Sequence, residues 1–223
     1  MRSVEVASSP RRRSMSRRRG IRGEGRRRVF CAAAECYGKG GRAAMTINQV
    51  CSHAQASVGT LYHHFPGGLK EVEDALYLDT LAAYQAGLLS ELRRHSDAEA
   101  GVKAVVLFHL EWMASNLALA HYLQFFSASW LTAEHLAQLE EMNANFARAA
   151  AEWREPHVAA GRLRDYPSLL YGAIILGPAQ QFGSDLIAKA TGQDVAAAFR
   201  RAGPVLAEAA WLDVQGEQSS RHA

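Results

Sequence analysis

The chain has 223 residues, of which 48% are hydrophobic, so it can bury a substantial core. No apolar run reaches the roughly 18–20 residues that a membrane span requires, which argues against a membrane protein. The three cysteines form no CxxC pair and fall in one short apolar stretch, which argues against a zinc site or a disulfide framework. We therefore expect a cytoplasmic protein.

The net charge of +3 conceals an asymmetry between the two parts of the chain. Residues 1–64 carry 13 Lys and Arg against three acidic residues, whereas residues 65–223 carry 12 against 19. This division indicates that the first part meets a polyanion and that the remainder does not.

Eleven arginines lie in the first 28 residues, in clusters separated by Ser, Gly and Pro. Apolar residues are too sparse there to offset the entropy of ordering. Residues 1–21 are therefore predicted to be a disordered arm that contacts a nucleic-acid backbone. The alternative is that translation begins at Met15, which would leave the first 14 residues without function.

Three helices are predicted after the arm. The first carries an apolar stripe at helical spacing in residues 29–37 and ends at the glycines that follow. Thr46 with Gln49 three places on matches a capping box and opens the second helix. Ser57 caps the third helix, which a Pro-Gly-Gly sequence ends.

The rest of the chain is also predicted to be helical, because no strand pattern occurs in it. The predicted extents are Leu69–Arg94, a helix opened by a capping box at residues 96–99, a buried aromatic segment at 121–131, Thr132 to about Ala160, residue 165 to Ala190, and a last helix ending near Leu212. Pro156 predicts a bend or break, and Gly-Pro pairs predict kinks in the last two helices. The prediction is an all-α fold of about nine helices.

Two short helices joined by a tight turn and preceded by a third outline a helix-turn-helix motif. In that motif the second helix enters the major groove of DNA and presents its amino-terminal residues to the bases. The segment SVGTLYHHF, residues 57–65, suits this task. It begins with hydroxyl side chains at the positive end of a helix and continues with a tyrosine and two histidines, which can reach phosphates or base edges.

The adjacent histidines are poor candidates for a metal site. His63 and His64 point about 100° apart on a helix, whereas metal ligands on one helix prefer i, i+4 spacing, so a site with His53 is not expected. No nucleophile, base and orienting group can be assembled from the sequence spacing. We therefore predict no metal, no catalytic residues, no cofactor and no enzyme.

Over Val29–Leu76 the sequence resembles the TetR family of bacterial transcriptional regulators, most specifically in TLYHHFPGG at residues 60–68. Weaker resemblances to the family's carboxy-terminal domains lie in AAGRLR and ILGPAQQF. The resemblance implies a three-helix DNA-binding domain over residues 22–68. It also implies a larger helical domain over residues 69–223 that binds an effector and forms a homodimer through its last two helices.

The resemblance also assigns roles to single positions. The residues implied to hold phosphates are Thr46, Ser57, Tyr62 and His64. Those implied to lie nearest the bases are Val58, Gly59, Thr60 and His63. Leu61 and Phe65 are implied to pack inward.

Three positions depart from the family's pattern. Gln55 stands where a turn glycine is usual, and strain of about 1 kcal/mol is expected there. Arg42 stands where an aromatic residue is common. The lysine that usually opens the linking helix and contacts phosphate aligns with Leu69, so either Lys70 replaces it or that contact is absent.

A helical domain can hold a ligand pocket between its central helices. The candidate lining side chains are aromatic or weakly polar, which favours a hydrophobic or aromatic effector. The alternative for each of them is an ordinary place in the hydrophobic core. They are His109, Trp112, Met113, Asn116, Tyr122, Phe126, Trp130 and Phe146.

Two apolar faces on the last two helices are predicted to form the dimer seam, with purely intramolecular packing as the alternative. One consists of Leu169, Leu170, Ala173, Ile174 and Gly177, and the other of Val195, Phe199, Val205, Leu206 and Ala209.

The sequence thus predicts a ligand-responsive regulator, a repressor by analogy with the family, whose partners are double-stranded operator DNA and a small effector. One alternative is a sequence-tolerant nucleic-acid-binding protein driven by the arginine arm. Another is an all-helical carrier or enzyme. Neither the operator, the effector, the regulated genes nor the sign of regulation follows from the sequence.

Overall fold

The computed structural model describes residues 10–189 and 195–217, and the side chains of residues 24–188 and 195–217. The described chain is helical apart from its connections and one isolated β-bridge between Leu163 and Gln215. It divides into two compact units, Met1–Leu76 and Tyr77–Ala223.

The described residues form nine α-helices and a short 3₁₀ helix at Ala128–Trp130, which confirms the all-α prediction. The α-helices are α1 (Pro10–Ala44), α2 (Ile47–Ala54), α3 (Val58–His64), α4 (Leu69–Arg94), α5 (Ala98–Ser115), α6 (Leu117–Phe125), α7 (Ala133–Ala159), α8 (Ser168–Lys189) and α9 (Val195–Val214).

Helix α1 begins earlier than the sequence suggested. Residues 10–21, expected to belong to a disordered arm, are helical, while residues 1–9 lie outside the described part of the chain. Arginine is a good helix former, and extending a helix that is already packed costs less than nucleating one. The backbone leaves helical geometry at the predicted glycine cluster, where Gly41 has φ 64°.

The first unit has a core built from α1, α2, α3 and the start of α4. Leu61 and Phe65 of α3 and its cap are buried, as predicted, and Val29 of α1 is buried too. Val72 and Leu76 of α4 are equally buried. The compact unit accordingly extends to Leu76.

The second unit is organised around α5, which packs against α6, α8 and α9. Its apolar face includes Val102, Val106 and Leu110 and contacts a cluster that contains Phe199 of α9. The cap of α5 is Asp97, whose side chain accepts a hydrogen bond from the Ala100 N–H, and not Ser96 as the capping-box pattern predicted.

Helix α7 continues through Pro156 to Ala159 and is followed by Gly161 at φ 67°. The helix does not break at Pro156: the proline nitrogen cannot donate its helical hydrogen bond, but only three helical residues follow it. Helices α8 and α9 also continue through their Gly-Pro pairs.

By length and composition, none of the described helices could cross a membrane alone. Helices α5 and α6 would pass that test only together, and the pair is bent by 106°.

Candidate nucleic-acid interface and effector pocket

Local hydrogen bonds fix the ends of α2 and α3. The Thr46 hydroxyl accepts from the Gln49 N–H at 3.3 Å and donates to the Gln49 side-chain oxygen at 3.0 Å, so the capping box closes through side chains. The Ser57 hydroxyl accepts from the Thr60 N–H at 3.1 Å. Between the helices, Gln55 has φ 49° and ψ 46°, which confirms the left-handed turn position expected there.

Helix α3 presents one exposed face, which we call the recognition face: Val58, Gly59, Tyr62 and His63. The exposed fractions of Val58 and Tyr62 are 43% and 44%, whereas Leu61 on the opposite side is fully buried. The Tyr62 ring lies across Gly68, where a Cβ would come within 3.2 Å of it. The small residue at this turn, with φ 68°, thus leaves room for the tyrosine.

Three other predicted contact residues lie around the recognition face. Ser57 and Thr46 are exposed, and both hydroxyls serve as helix caps. Thr60 is half-buried, and its hydroxyl lies 2.9 Å from that of Ser57. Their roles as DNA contacts stay predictions.

His64 points elsewhere. It is half-buried and packs against α1, where a Cβ at Gly25 would lie 2.6 Å from its Nε2 atom. Its ring also meets the edge of His63, with a centroid separation of 5.3 Å. The structure therefore does not bring His64 onto the recognition face.

Lys70 is bound within the same unit. Its ammonium group donates to the Asp74 carboxylate, whose side chain is 1% exposed, while Lys70 itself is 39% exposed. Because a buried carboxylate needs a counter-charge, this pair explains why a lysine stands here without invoking DNA. A phosphate contact by Lys70 stays a prediction.

Arg42, one of the departures from the family pattern, forms a two-pronged ion pair. Its Nε atom donates to Glu73 Oε1 at 2.9 Å, and its Nη2 atom donates to Oε2 at 3.0 Å. Glu73 belongs to α4 and its side chain is only 4% exposed. Burial and the Glu73 charge raise the pKa of Tyr37. The ion pair joins the segment beyond the α1 kink to the start of α4.

In the second unit, the predicted effector residues lie in aromatic clusters. Tyr84 and His109 share a hydrogen bond of 2.7 Å, and the Trp112 ring lies 4.9 Å from that of Tyr84. Asn116 caps α5 and donates to the Trp112 carbonyl. Met113 and Tyr122 are buried, and the Phe126 ring lies between those of Tyr77 and Trp130.

A pocket of about 130 Å³ lies elsewhere in this unit, and of the eight predicted residues only Phe146 lines it. The other main walls, Trp153, Arg154 and Tyr171, were not predicted from the sequence. A signal existed in α7, since Phe146, Ala147, Ala150, Trp153 and Arg154 recur at the spacing of one helical face.

Burial lowers the pKa of His109 to about 4, which predicts a pH-dependent stability. Below pH 6.5 the unfolded chain takes up a proton at this position that the folded chain refuses, so stability falls as the pH falls towards 4. Lowering the pH from 7 to 5 should reduce the free energy of unfolding of the wild type by about 2 kcal/mol more than that of a His109→Gln variant.

Urea unfolding of both proteins at the two pH values measures this difference. The comparison is needed because burial also lowers the pKa of His121 and His157. Equal losses in both proteins would show that His109 does not carry the effect.

The predicted dimer seam is only partly exposed. Leu169, Leu170 and Val205 are 89%, 42% and 69% exposed. Val195 and Phe199 are buried in the protomer's own core, so their placement on the seam was wrong. The exposed apolar residues of α8 and α9, with Leu212 added, remain candidates for a seam.

Residues 30–67 match the sequence model of the bacterial regulatory proteins of the tetR family. No curated protein matched the chain. The match confirms the resemblance over the helix-turn-helix unit.

Solved structures of similar fold include a TetR family transcription regulator from Marinobacter aquaeolei VT8, with 17% identity, a TM-score of 0.71, and coverage of 89% of this chain and all of that one. The ketosteroid regulator KstR2 of Mycobacterium tuberculosis matches at 15% identity and TM-score 0.65, over 86% of this chain and 95% of that one. FadR from Bacillus subtilis, in complex with stearoyl-CoA, matches at 14% identity and TM-score 0.64, over 82% and 97%. At these identities the likeness establishes the fold.

Proposed function

We propose that this chain, which carries a TetR-type DNA-binding domain, is a ligand-responsive transcription regulator. It acts as a repressor that leaves its operator when a small hydrophobic or aromatic effector binds. The main support is the recognition face, where Val58 and Tyr62 stand exposed on a helix whose opposite side is fully buried. An exposed apolar and aromatic helix face beside hydroxyl and imidazole groups suits contact with base edges and phosphates.

Ligand control requires that the effector bind one of two states more tightly than the other. The pocket in the second unit supplies a place for such a ligand, and its walls are mainly apolar. FadR of Bacillus subtilis, which has a similar fold, binds stearoyl-CoA, a ligand with a long apolar chain. No catalytic role is proposed, and the site of action is the cytoplasm, at the nucleoid when DNA is bound.

The regulator acts as a homodimer through the exposed apolar residues of α8 and α9. A dimer can place two recognition helices roughly 34 Å apart, one turn of DNA, or at a multiple of that spacing. We expect analytical ultracentrifugation of the free protein to show a dimer at micromolar concentration. A monomer that persists there would contradict this seam.

Selection of genomic DNA fragments by the purified protein tests the proposal and would also identify the operator. A sequence reader enriches particular fragments, and removing residues 1–21 weakens binding but leaves the preference. A protein driven by the arginine arm would instead lose nearly all affinity and most of its salt dependence on that deletion. A helical carrier would bind ligands and enrich no fragment.

A further inference from the structure

The pocket in the second unit contains a single charge. Among the fourteen described residues that line it, Arg154 is the charged one, and its other walls are mainly apolar or aromatic. Arg154 is itself half-buried. A guanidinium in such surroundings loses hydration, which favours binding of an anion that restores its hydrogen bonds.

The contact between the Arg154 guanidinium and the Tyr171 ring leaves the N–H groups of the guanidinium available for hydrogen bonds. The guanidinium carbon lies 4.8 Å from the centre of the Tyr171 ring, in a cation–π contact with the ring face. Across the described residues, no carboxylate, carbonyl or hydroxyl group forms an ion pair or hydrogen bond with it. Asp165, which affects the pKa of Tyr171, is exposed and makes no ion pair with Arg154.

The polar groups of the neighbouring aromatic walls are already satisfied. The Trp153 indole N–H donates to the His95 carbonyl at 2.9 Å, and the Tyr171 hydroxyl donates to the Arg164 carbonyl. Trp153 also fits closely against Gly101, where a Cβ would come within 2.3 Å of the ring. These contacts hold the two aromatic walls in place, and Arg154 is the charged group among the lining residues that can orient an anionic ligand.

The volume of the pocket favours a small ligand. Its volume of about 130 Å³ is close to that of the roughly 150 Å³ apolar cavities that bind benzene. Small residues at Ala147, Ala150 and Gly172 create this space, and nothing lies within 4 Å of a Cβ placed at Gly172.

We propose that the pocket binds a small apolar monocarboxylate, with a body about the size of one benzene ring and its carboxylate on the Arg154 guanidinium. Arginine is suited to this because its planar fork can hold both oxygens of a carboxylate. The inference rests on the proposed function and adds one anionic group to the apolar effector assumed there.

The wild-type test compares phenylacetate with phenylacetamide, which have the same ring and differ in charge. We expect isothermal titration calorimetry on the full chain to show the acid binding about 10- to 100-fold more tightly, as a charged hydrogen-bonded pair allows. Equal affinities, or no binding of phenylacetate by folded protein at millimolar concentration, would overturn the proposal.

Three variants locate the preference in the pocket. Arg154→Gln should abolish the difference between acid and amide, while Arg148→Gln, an exposed position on the same helix, should preserve it. Gly172→Leu should fill the pocket and weaken both ligands. A preference that survives Arg154→Gln would also overturn the proposal, and if that variant fails to fold, the wild-type pair decides.

Anisotropy measurements with a selected operator separate this inference from the proposed function. Release of DNA by neutral aromatic compounds, with no preference for the acid, would support the proposed regulator and contradict the proposed binding of a carboxylate. Preferential binding of phenylacetate by a protein that enriches no DNA would support the carboxylate site and contradict the proposed regulator.

Discussion

Replacing Tyr62 and His63 together with alanine is expected to lower operator affinity by at least about 100-fold and to leave dimerisation unchanged. Each side chain that contacts a base or phosphate contributes about 1–3 kcal/mol, and a dimer loses two copies of each. Both residues are exposed on α3, so their removal should not disturb the core. Anisotropy with the selected operator and ultracentrifugation measure the two quantities.

The second unit offers a matched control. Phe125 is 45% exposed, close to the 44% of Tyr62, and His95 supplies a second imidazole. Phe125→Ala combined with His95→Ala should bind the operator like the wild type. A normal footprint from the Tyr62 and His63 variant would show that α3 does not contact DNA and would contradict the proposed mechanism.

Arg42→Ala is expected to destabilise the first unit by about 2–3 kcal/mol. Removing the arginine leaves the Glu73 carboxylate buried without its two charged hydrogen bonds, which is costly in a poorly hydrated site. The estimate lies below the range for fully buried pairs because the Arg42 side chain is 48% exposed. Urea unfolding followed by circular dichroism gives the free energy of unfolding.

A double-mutant cycle tests the cause. In a Glu73→Gln background the buried charge is gone, so Arg42→Ala should then cost less than about 1 kcal/mol. The exposed pair between Arg94 and Glu91 provides a surface reference, where Arg94→Ala should cost at most about 1 kcal/mol. If Arg42→Ala costs the same with Glu73 or Gln, the ion pair is not the source of its effect.

The recognition face could be predicted from the sequence because its determinants are local. Helix caps act over three residues, and the alternation of Leu61 and Phe65 with polar neighbours repeats at the helical period. The left-handed turn residue at Gln55 was likewise predicted from its place in the motif. The direction of the His64 side chain depends instead on its packing against Gly25 of α1, and its role as a phosphate contact stays a prediction.

The pocket in the second unit, proposed to hold the effector, could not be located from the sequence in the same way. Aromatic residues such as Tyr122 and Phe126 show the same local sequence pattern whether they line a pocket or fill a core. Which of the two occurs depends on the neighbouring helices. In the sequence, nothing distinguishes Arg154 from the other charged residues of α7. Only the fold places Tyr171 of α8 against it.

The sequence by itself determined the all-helical fold, the caps at Thr46 and Ser57 and the DNA-binding motif, because these depend on interactions within a few residues. Only the tertiary structure decided that Glu73 receives Arg42, that Val195 and Phe199 face inward, and that Arg154 borders an apolar pocket. Such choices pair residues far apart in the chain. The period of a helix shows which residues share a face but not what that face will meet.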